Sequence, residues 1–138
     1  MTKQVAKSEI KESLQIHFQE LQAKNGERME YAVQETLKDL GIPFFANIRF
    51  KIDSKEAEID IYFPQYGILL EIKYWSPRVN LAETYWITGQ HWIFQKLSEF
   101  MKLPAPQRFV KVTNIEEASD FIASLVHGLP SQGLPVSP

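Results

Sequence analysis

Apolar residues recur at helical spacing in the first part of the chain. From Thr2 to about Lys24 the spacing predicts an amphipathic helix, whose apolar stripe is Ile10, Leu14, Phe18 and Leu21. The pair Asn25-Gly26 is predicted to end this helix. A second helix is predicted from about Glu27 to Leu40, because Gly41 is a typical helix stop and Pro43 follows it. Its inward face would be Met29, Val33, Leu37 and Leu40.

The apolar pattern then changes from helical spacing to strict alternation. Between Phe44 and Ile52 every second residue is apolar, which predicts a strand with one buried face. A polar turn at 53–57 leads to a second alternating segment at 58–63. The turn residues 64–67 precede a third strand at 68–74. These three strands are predicted to form an antiparallel meander.

The second half of the chain predicts two more helical regions, a strand and a last helix. Asn80 and Glu83 could open a short helix, and Ile93, Leu97, Phe100 and Met101 form a clearer helical face ending at Pro104. Residues 108–112 are typical of a short strand. Asn114 and Glu117 predict the start of a helix at 114–126, with a buried side of Ala118, Phe121, Ile122 and Leu125.

This order of elements predicts an α/β fold with a mixed central sheet flanked by helices. We expect one domain over residues 1–127, in which 2–24 add a helix to a core at 26–112. Residues 128–138 are rich in Gly, Pro and Ser, and they predict a flexible tail. A chain of 138 residues is too short for two ordinary domains.

Composition and charge exclude several classes of protein. With no cysteine, the chain can form no disulfide, iron–sulfur cluster or thiolate zinc site. No segment has the apolar length of a membrane span or the apolar core of a secretory signal, so we expect a cytoplasmic protein without a membrane partner. The formal net charge of −2 argues against coating nucleic acid through overall charge. Any DNA contact must therefore use a local basic surface.

Two acids on neighbouring predicted strands carry the candidate chemistry. If the turn after Phe63 holds two or four residues, paired residue numbers in the hairpin sum to 131, which places Asp60 opposite Glu71. Their Cβ atoms would then lie roughly 4.5–5.5 Å apart on one face. Like charges so close repel unless a cation lies between them. Lys73 lies on the same face as Glu71, because side chains alternate along a strand.

Two carboxylates and a lysine suit metal-assisted hydrolysis of a phosphodiester. Carboxylate oxygens, with the backbone carbonyl of Ile72 as a further ligand, would hold Mg²⁺, and Lys73 would assist the nucleophile or stabilise developing charge. The alternative is a solvated ion pair, since Glu-x-Lys is common on exposed strands. The apolar run at 68–70 and the position of Asp60 favour the metal site. A slip of one residue would place Asp60 on the opposite face.

The segments Glu58-Ile59-Asp60 and Glu71-Ile72-Lys73 resemble the PD-(D/E)xK, or restriction-endonuclease-like, nuclease superfamily. The predicted order from Gly26 to Val112, namely helix, three strands, helix and strand, is similar to the αβββαβ core of that superfamily. The resemblance covers about two thirds of the chain. It implies a Mg²⁺-dependent endonuclease, with Mn²⁺ as a substitute and no small-molecule organic cofactor. One departure is Ile59, which stands where proline precedes the aspartate in the motif.

Within the superfamily the chain is most similar to archaeal-type Holliday junction resolvases. Their first helix carries a glycine, a glutamate and a final glycine at the spacing of Gly26, Glu30 and Gly41. The resemblance implies that Glu30 is a third acid that reaches the metal, although an exposed helical glutamate is the alternative. RecB-like nucleases carry a glutamine on the helix after the lysine. Gln90 is similar, with a polar helix face as its alternative.

Basic and aromatic residues outside the motif predict where DNA would lie. Phosphate contacts are predicted for Arg49, Lys51, Lys55, Arg78 and Lys96, with a solvated face as the alternative. Trp75, Trp86 and Trp92 could stack on bases or belong to the core. His17, His91 and His127 lack ligand spacing and are assigned no role. The first helix could pack on the domain or form a homodimer interface.

The leading hypothesis is therefore a metal-dependent endonuclease that hydrolyses duplex or branched DNA, with a role in repair or recombination. One rival is a nuclease fold that no longer cuts and binds nucleic acid or protein. The other is an RNA-processing nuclease, whose phosphate chemistry would look the same. Metal binding and substrate preference would separate the three hypotheses.

Overall fold

The computed structural model describes residues 5–74 and 78–128. Within these ranges the chain forms α1 (Lys7–Glu20), α2 (Asn25–Asp39), β1 (Phe45–Ile52), β2 (Lys55–Phe63), β3 (Ile68–Ile72), α3 (Leu81–Ile87), α4 (Trp92–Met101), β4 (Arg108–Val112) and α5 (Ile115–Val126). The α/β class is therefore confirmed. Trp75, the start of the predicted first helix at 2–4 and the predicted tail beyond Gly128 lie outside the described residues.

The four strands form one mixed sheet in the order β1-β2-β3-β4. β1, β2 and β3 are an antiparallel meander, and β4 runs parallel to β3. The predicted register of the second hairpin is confirmed, because Phe63 pairs with Ile68 and Ile61 pairs with Leu70. The turn between them holds four residues, and Gly67 takes a φ of +67° that favours glycine.

Helices cover both faces of the sheet, and each face has its own apolar cluster. The first cluster joins α1, α2 and α5 to residues of β2, β3 and β4, with Leu14, Val33 and Ile122 fully buried. The second joins α3 and α4 to β2 and β3, and Ile93 and Phe94 are buried there. No helix among the described residues has the length and apolar character needed to cross a membrane.

The boundary between the first two helices differs from the prediction. Asn25 and Gly26 were predicted to end α1, but they are the first residues of α2. The helices are separated earlier, because both Leu21 and Lys24 take extended backbone angles. Gly26 is therefore the second residue of α2 and not a helix end. At the other end, Gly41 stops α2 as predicted, with a φ of +73°.

The additional helix α1 packs on the domain. Ile10 and Leu14 are buried in the first cluster, and α1 contacts both α2 and α5. Burial of each such side chain contributes roughly 1.5–3 kcal/mol. Lys7 and Lys11 also pair with Glu116 of α5 at 2.6 and 2.8 Å. The apolar stripe of α1 is therefore used within the chain.

His17 links α1 to α2 and predicts a pH effect on stability. Its Nε2 lies 2.8 Å from Asp39 Oδ2, and its Nδ1 lies 2.7 Å from Glu20 Oε1. The Asp39 contact, aided by Glu20 and opposed by burial, raises the pKa of His17 above 6.5. Because the folded pKa exceeds the unfolded one, this stabilisation is complete below pH 6.5 and is lost as pH rises through the folded value.

We expect the difference in melting temperature between wild type and His17→Gln to shrink as pH rises from about 6 to about 8. The stabilisation should be at most about 1 kcal/mol, because both acidic partners are exposed. Thermal unfolding of the two proteins across this range checks the expectation. A constant difference would show that His17 contributes through packing alone.

The strands β1 and β2 are distorted where they reach the candidate site. Their ladder pairs Ala46 with Ile61 and Ile48 with Ile59, but it passes over Asn47 and Asp60. Asn47 has a φ of +56°, which is uncommon for a residue other than glycine. Ile59 packs in the second cluster and Ile61 in the first. Since residues two apart in a regular strand share a face, β2 changes face at Asp60.

Candidate active site

A cavity of about 670 Å³ opens where α2, β2, β3 and the segment before α3 meet. Its acidic lining residues are Glu27, Glu30, Glu58, Asp60 and Glu71, and its basic ones are Lys24, Lys73 and Arg78. Five carboxylates therefore face three cations. Such a cavity would repel a phosphate group unless a further positive charge entered it.

Asp60 lies at the distortion of β2 and is only 6% exposed. Its Oδ2 accepts a 2.8 Å hydrogen bond from the backbone N–H of Ile72. The side chain thus replaces the ladder partner that β3 loses beyond the Ile61–Leu70 pair. This bond fixes Asp60 against the strand that carries the other motif residues.

Glu71 is 4% exposed, and its carboxyl group is a close neighbour of the Asp60 carboxyl group. Its Oε2 also accepts a 2.6 Å hydrogen bond from Asn80 Nδ2. Burial, followed by the hydrogen bond and charge of Asp60, raises the pKa of Glu71 well above its ordinary value, against the opposing effects of Asn80 and Lys73. Two carboxyl groups can share a hydrogen bond only if one holds a proton. A bound cation could replace that proton.

Glu30 lies on α2 and is half-buried in the cavity wall. Burial, with smaller effects from Asp60, Glu58 and Glu27, raises the pKa of Glu30 to about 7. The charge of Asp60 therefore disfavours ionisation of Glu30. The structure brings this predicted residue to the cavity, together with Ile72.

Lys73 continues β3 toward the cavity and is only 8% exposed. Its backbone N–H donates to Val112 O at 2.9 Å, which ties this end of β3 to β4. Its Nζ lies 4.0 Å from Glu83 Oε1, and Lys111 Nζ donates to Glu83 Oε2 at 3.0 Å. Glu83, 2% exposed, thus lies between two lysines, and its Oε1 has no hydrogen-bond partner among the described residues.

Glu83→Ala should lower the free energy of unfolding by on the order of 3 kcal/mol, because it leaves the buried Lys73 without one of its two acidic neighbours. Glu83→Gln keeps the side-chain volume and an acceptor for Lys111, so its loss should be smaller. Urea unfolding of both variants measures the difference. Equal stability of Glu83→Ala and wild type would contradict this role of Glu83.

The described residues contain a pair of converging acids rather than a complete metal cage. Across 5–74 and 78–128, no group of three or more aspartate, glutamate, histidine or cysteine side chains is arranged to hold a metal ion. A pair is nevertheless suited to Mg²⁺, which keeps several waters and often uses only one or two carboxylates. Asp60 and Glu71 fit this requirement, with Ile72 beside them.

Comparison with known proteins identifies no relative. No family model matches the chain, and neither the curated proteins nor the solved structures give a match. The geometry of the cavity and the sequence motif therefore carry the functional assignment.

The other predicted residues divide between the cavity and other surfaces. Arg78 lines the cavity and is exposed. Gln90 lies outside the cavity lining, between α3 and α4, where its Oε1 accepts a 3.0 Å hydrogen bond from Thr88 Oγ1. Lys55 is exposed at the first residue of β2, so the turn holds only residues 53–54 and not the predicted 53–57. Arg49, Lys51 and Lys96 line a second cavity beside β1.

Asn80 and Glu83 have roles in the site beyond the helix start that the sequence predicted. The helix start is confirmed, since Asn80 Oδ1 accepts from the backbone N–H of Glu83 at 2.8 Å. Asn80 Nδ2 also reaches Glu71 and the backbone oxygen of Glu58, whereas Glu83 turns toward the two lysines. The spacing of Asn80 and Glu83 in the sequence predicted the start of α3. Nothing in local spacing indicated the contacts across the sheet.

Proposed function

We propose that this protein is a metal-dependent endonuclease of the PD-(D/E)xK kind that hydrolyses phosphodiester bonds of DNA. The observation that carries the proposal is the pair of neighbouring buried acids Asp60 and Glu71, with the buried Lys73 two residues beyond Glu71. This burial distinguishes the site from the solvated ion pair that Glu-x-Lys commonly forms on exposed strands. The order α2, β1, β2, β3, α3, α4 and β4 supports the resemblance to the superfamily core, with two helices in place of one.

Asp60 and Glu71 would hold Mg²⁺, with the carbonyl of Ile72 as a further ligand and Glu30 in support. When bound, Mg²⁺ supplies Lewis-acid polarisation of the phosphate and lowers the pKa of a water molecule. The carboxylates of Asp60 and Glu71 orient the site through their bonds to Ile72 N–H and Asn80. The five acidic residues of the lining outnumber its three basic ones, Lys24, Lys73 and Arg78, and this excess of acid supports a site for a divalent cation.

Besides a bound metal, Lys73 would supply positive charge at the reacting phosphate. Its ammonium group would donate a hydrogen bond to a phosphate oxygen or to the attacking water, where charge develops in the transition state. Glu83 limits the positions that the ammonium can take. In the net reaction, water oxygen bonds to phosphorus, the ester P–O bond breaks and the leaving oxygen takes up a proton.

A cleavage panel with a matched pair of lysine variants tests the proposal. The substrates are supercoiled plasmid, linear duplex, a four-way junction and single-stranded RNA, each with Mg²⁺, Mn²⁺ or EDTA. Lys73→Met should lower cleavage by about 10²–10³-fold. Lys111→Met should retain cleavage, because Lys111 contacts Glu83 but does not line the cavity.

The outcomes separate the proposal from its rivals. Metal-dependent cutting of DNA that only Lys73→Met removes supports the nuclease. Cutting confined to RNA supports the RNA-processing alternative. Cutting of no substrate by folded wild-type protein overturns the proposal in favour of a binding module.

A further inference from the structure

A second cavity, of about 400 Å³, lies between the edge strand β1 and α4. It is lined by Arg49, Phe50, Lys51 and Ile52 of β1 and by Lys96, Leu97 and Phe100 of α4. We call these seven residues the β1–α4 groove. Its floor is apolar, and its charged lining residues are all cations. This composition differs from that of the acidic active-site cavity.

Two aromatic rings stand exposed on α4, namely Phe100 in the groove lining and Trp92, which lies outside the lining eight residues earlier. Phe100 is 85% exposed and Trp92 is 49% exposed. Trp92, Lys96 and Phe100 follow at steps of four, so they lie on one side of the helix over roughly 12 Å. Lys96 Nζ is 5.7 Å from the centroid of the Trp92 ring. Surfaces that bind single-stranded nucleic acid combine exposed aromatic rings with cations.

One ion pair joins a residue of the groove to a residue of the active-site cavity. Arg49 lines the groove and Glu58 lines the cavity, and the two residues are partners in the β1–β2 ladder. Arg49 Nε lies 3.7 Å from Glu58 Oε2. A polynucleotide strand that enters the cavity can therefore extend past this pair onto the groove.

Stacking favours a single strand over a duplex as the occupant. In a duplex, both faces of each interior base are covered by its neighbours. Unpaired bases can instead place their faces on Phe100 or Trp92 while Arg49, Lys51 and Lys96 contact phosphates. An acidic protein segment would satisfy the cations but would leave the exposed rings without a stacking partner.

We infer that the β1–α4 groove binds a single-stranded DNA segment that continues from the strand held in the active-site cavity. This inference rests on the proposed nuclease function for its substrate class, which becomes DNA with an unpaired arm, such as a flap, a fork or an overhang. Phe100 and Trp92 receive bases, and the three cations receive phosphates.

Binding of fluorescent oligonucleotides to the full chain in EDTA tests the groove without cleavage. The probes are an oligothymidine of about 12 nucleotides, within the range of one single-strand site, and a duplex of equal length. The single strand should bind more tightly. Phe100→Ala should weaken its binding at least about fivefold, the loss expected for one stacked base. Phe45→Ala, which removes an exposed ring outside the groove, should not.

The salt dependence gives a second readout, which loss of folding would not mimic. Lys96→Gln should reduce the slope of log Kd against log salt by about 0.7, the value for one phosphate contact on a single strand. Lys38→Gln on α2 is the matched control and should leave the slope unchanged. If Lys96→Gln has the same slope as wild type, Lys96 does not contact a phosphate.

The outcomes distinguish failure of the groove from failure of the nuclease. Equal binding by Phe100→Ala and wild type overturns the groove, even if the protein cuts DNA. A dimer that Phe100→Ala converts to a monomer, with DNA binding unchanged, also overturns it and makes the groove a subunit interface. Selective loss of single-strand binding in Phe100→Ala supports the groove, even if no metal-dependent cleavage is found.

Discussion

Asp60→Asn is expected to abolish metal-dependent cleavage while leaving the metal-free protein at least as stable as wild type. The loss should be at least about 10³-fold, or about 4 kcal/mol of transition-state stabilisation. The new amide keeps an oxygen for the N–H of Ile72 and gains N–H donors for Glu71. It thereby relieves the repulsion between two crowded acids, which should raise the free energy of unfolding by about 1 kcal/mol.

Cleavage rates and urea unfolding in EDTA measure the two effects separately. Asp120→Asn is the control, because Asp120 is an exposed partner of Lys7 far along the chain from the motif. Retained, metal-dependent cleavage by Asp60→Asn would overturn the role of Asp60. Loss of both activity and stability would mean that Asp60 serves the fold through its charge.

Divalent metal is expected to raise the melting temperature, and to raise it more at alkaline than at acidic pH. Mg²⁺ or Mn²⁺ at a hundred times its Kd should contribute about 2.7 kcal/mol, or about 10 °C for a chain of this size. Without metal, the raised pKa of Glu30 and of Glu71 favours the fold below the ordinary glutamate pKa of 4.5. That stability is lost as pH rises through the folded values.

Metal binding requires these carboxyl groups to be ionised, so it releases protons and strengthens as pH rises. Thermal unfolding with metal and with EDTA, at about pH 5.5, 7 and 8.5, measures the dependence. Asp60→Asn should lose most of the shift. A shift of equal size at every pH, or one that Asp60→Asn retains, would place the bound metal elsewhere.

The register of the central hairpin could be predicted from the sequence because local signals fixed it. Pro64 to Gly67 supplied a turn, and a turn of either two or four residues aligns Ile61 with Leu70 and Phe63 with Ile68. The same signals placed Asp60 near Glu71. Capping residues likewise predicted the starts of α3 and α5 correctly, with Asn80 and Asn114 accepting from the third residue of each helix.

Other features could not be predicted, because they depend on contacts between segments distant in sequence. The change of face at Asp60 coincides with the distortion of β1 at Asn47, and it places Ile59 and Ile61 in apolar clusters on opposite sides of the sheet. The position of Glu83 between Lys73 and Lys111 joins three elements. Asn25-Gly26 misled the prediction, because the same residues are compatible with a helix end or with a first turn.

The outer strand β1 is a sheet edge, and sheet edges invite pairing with strands of other molecules. Two features of β1 oppose such pairing. Asn47 interrupts the straight run of backbone, and Arg49 and Lys51 place like charges where an identical strand would align. The cations that we propose for nucleic-acid contact therefore also oppose edge-to-edge pairing of β1.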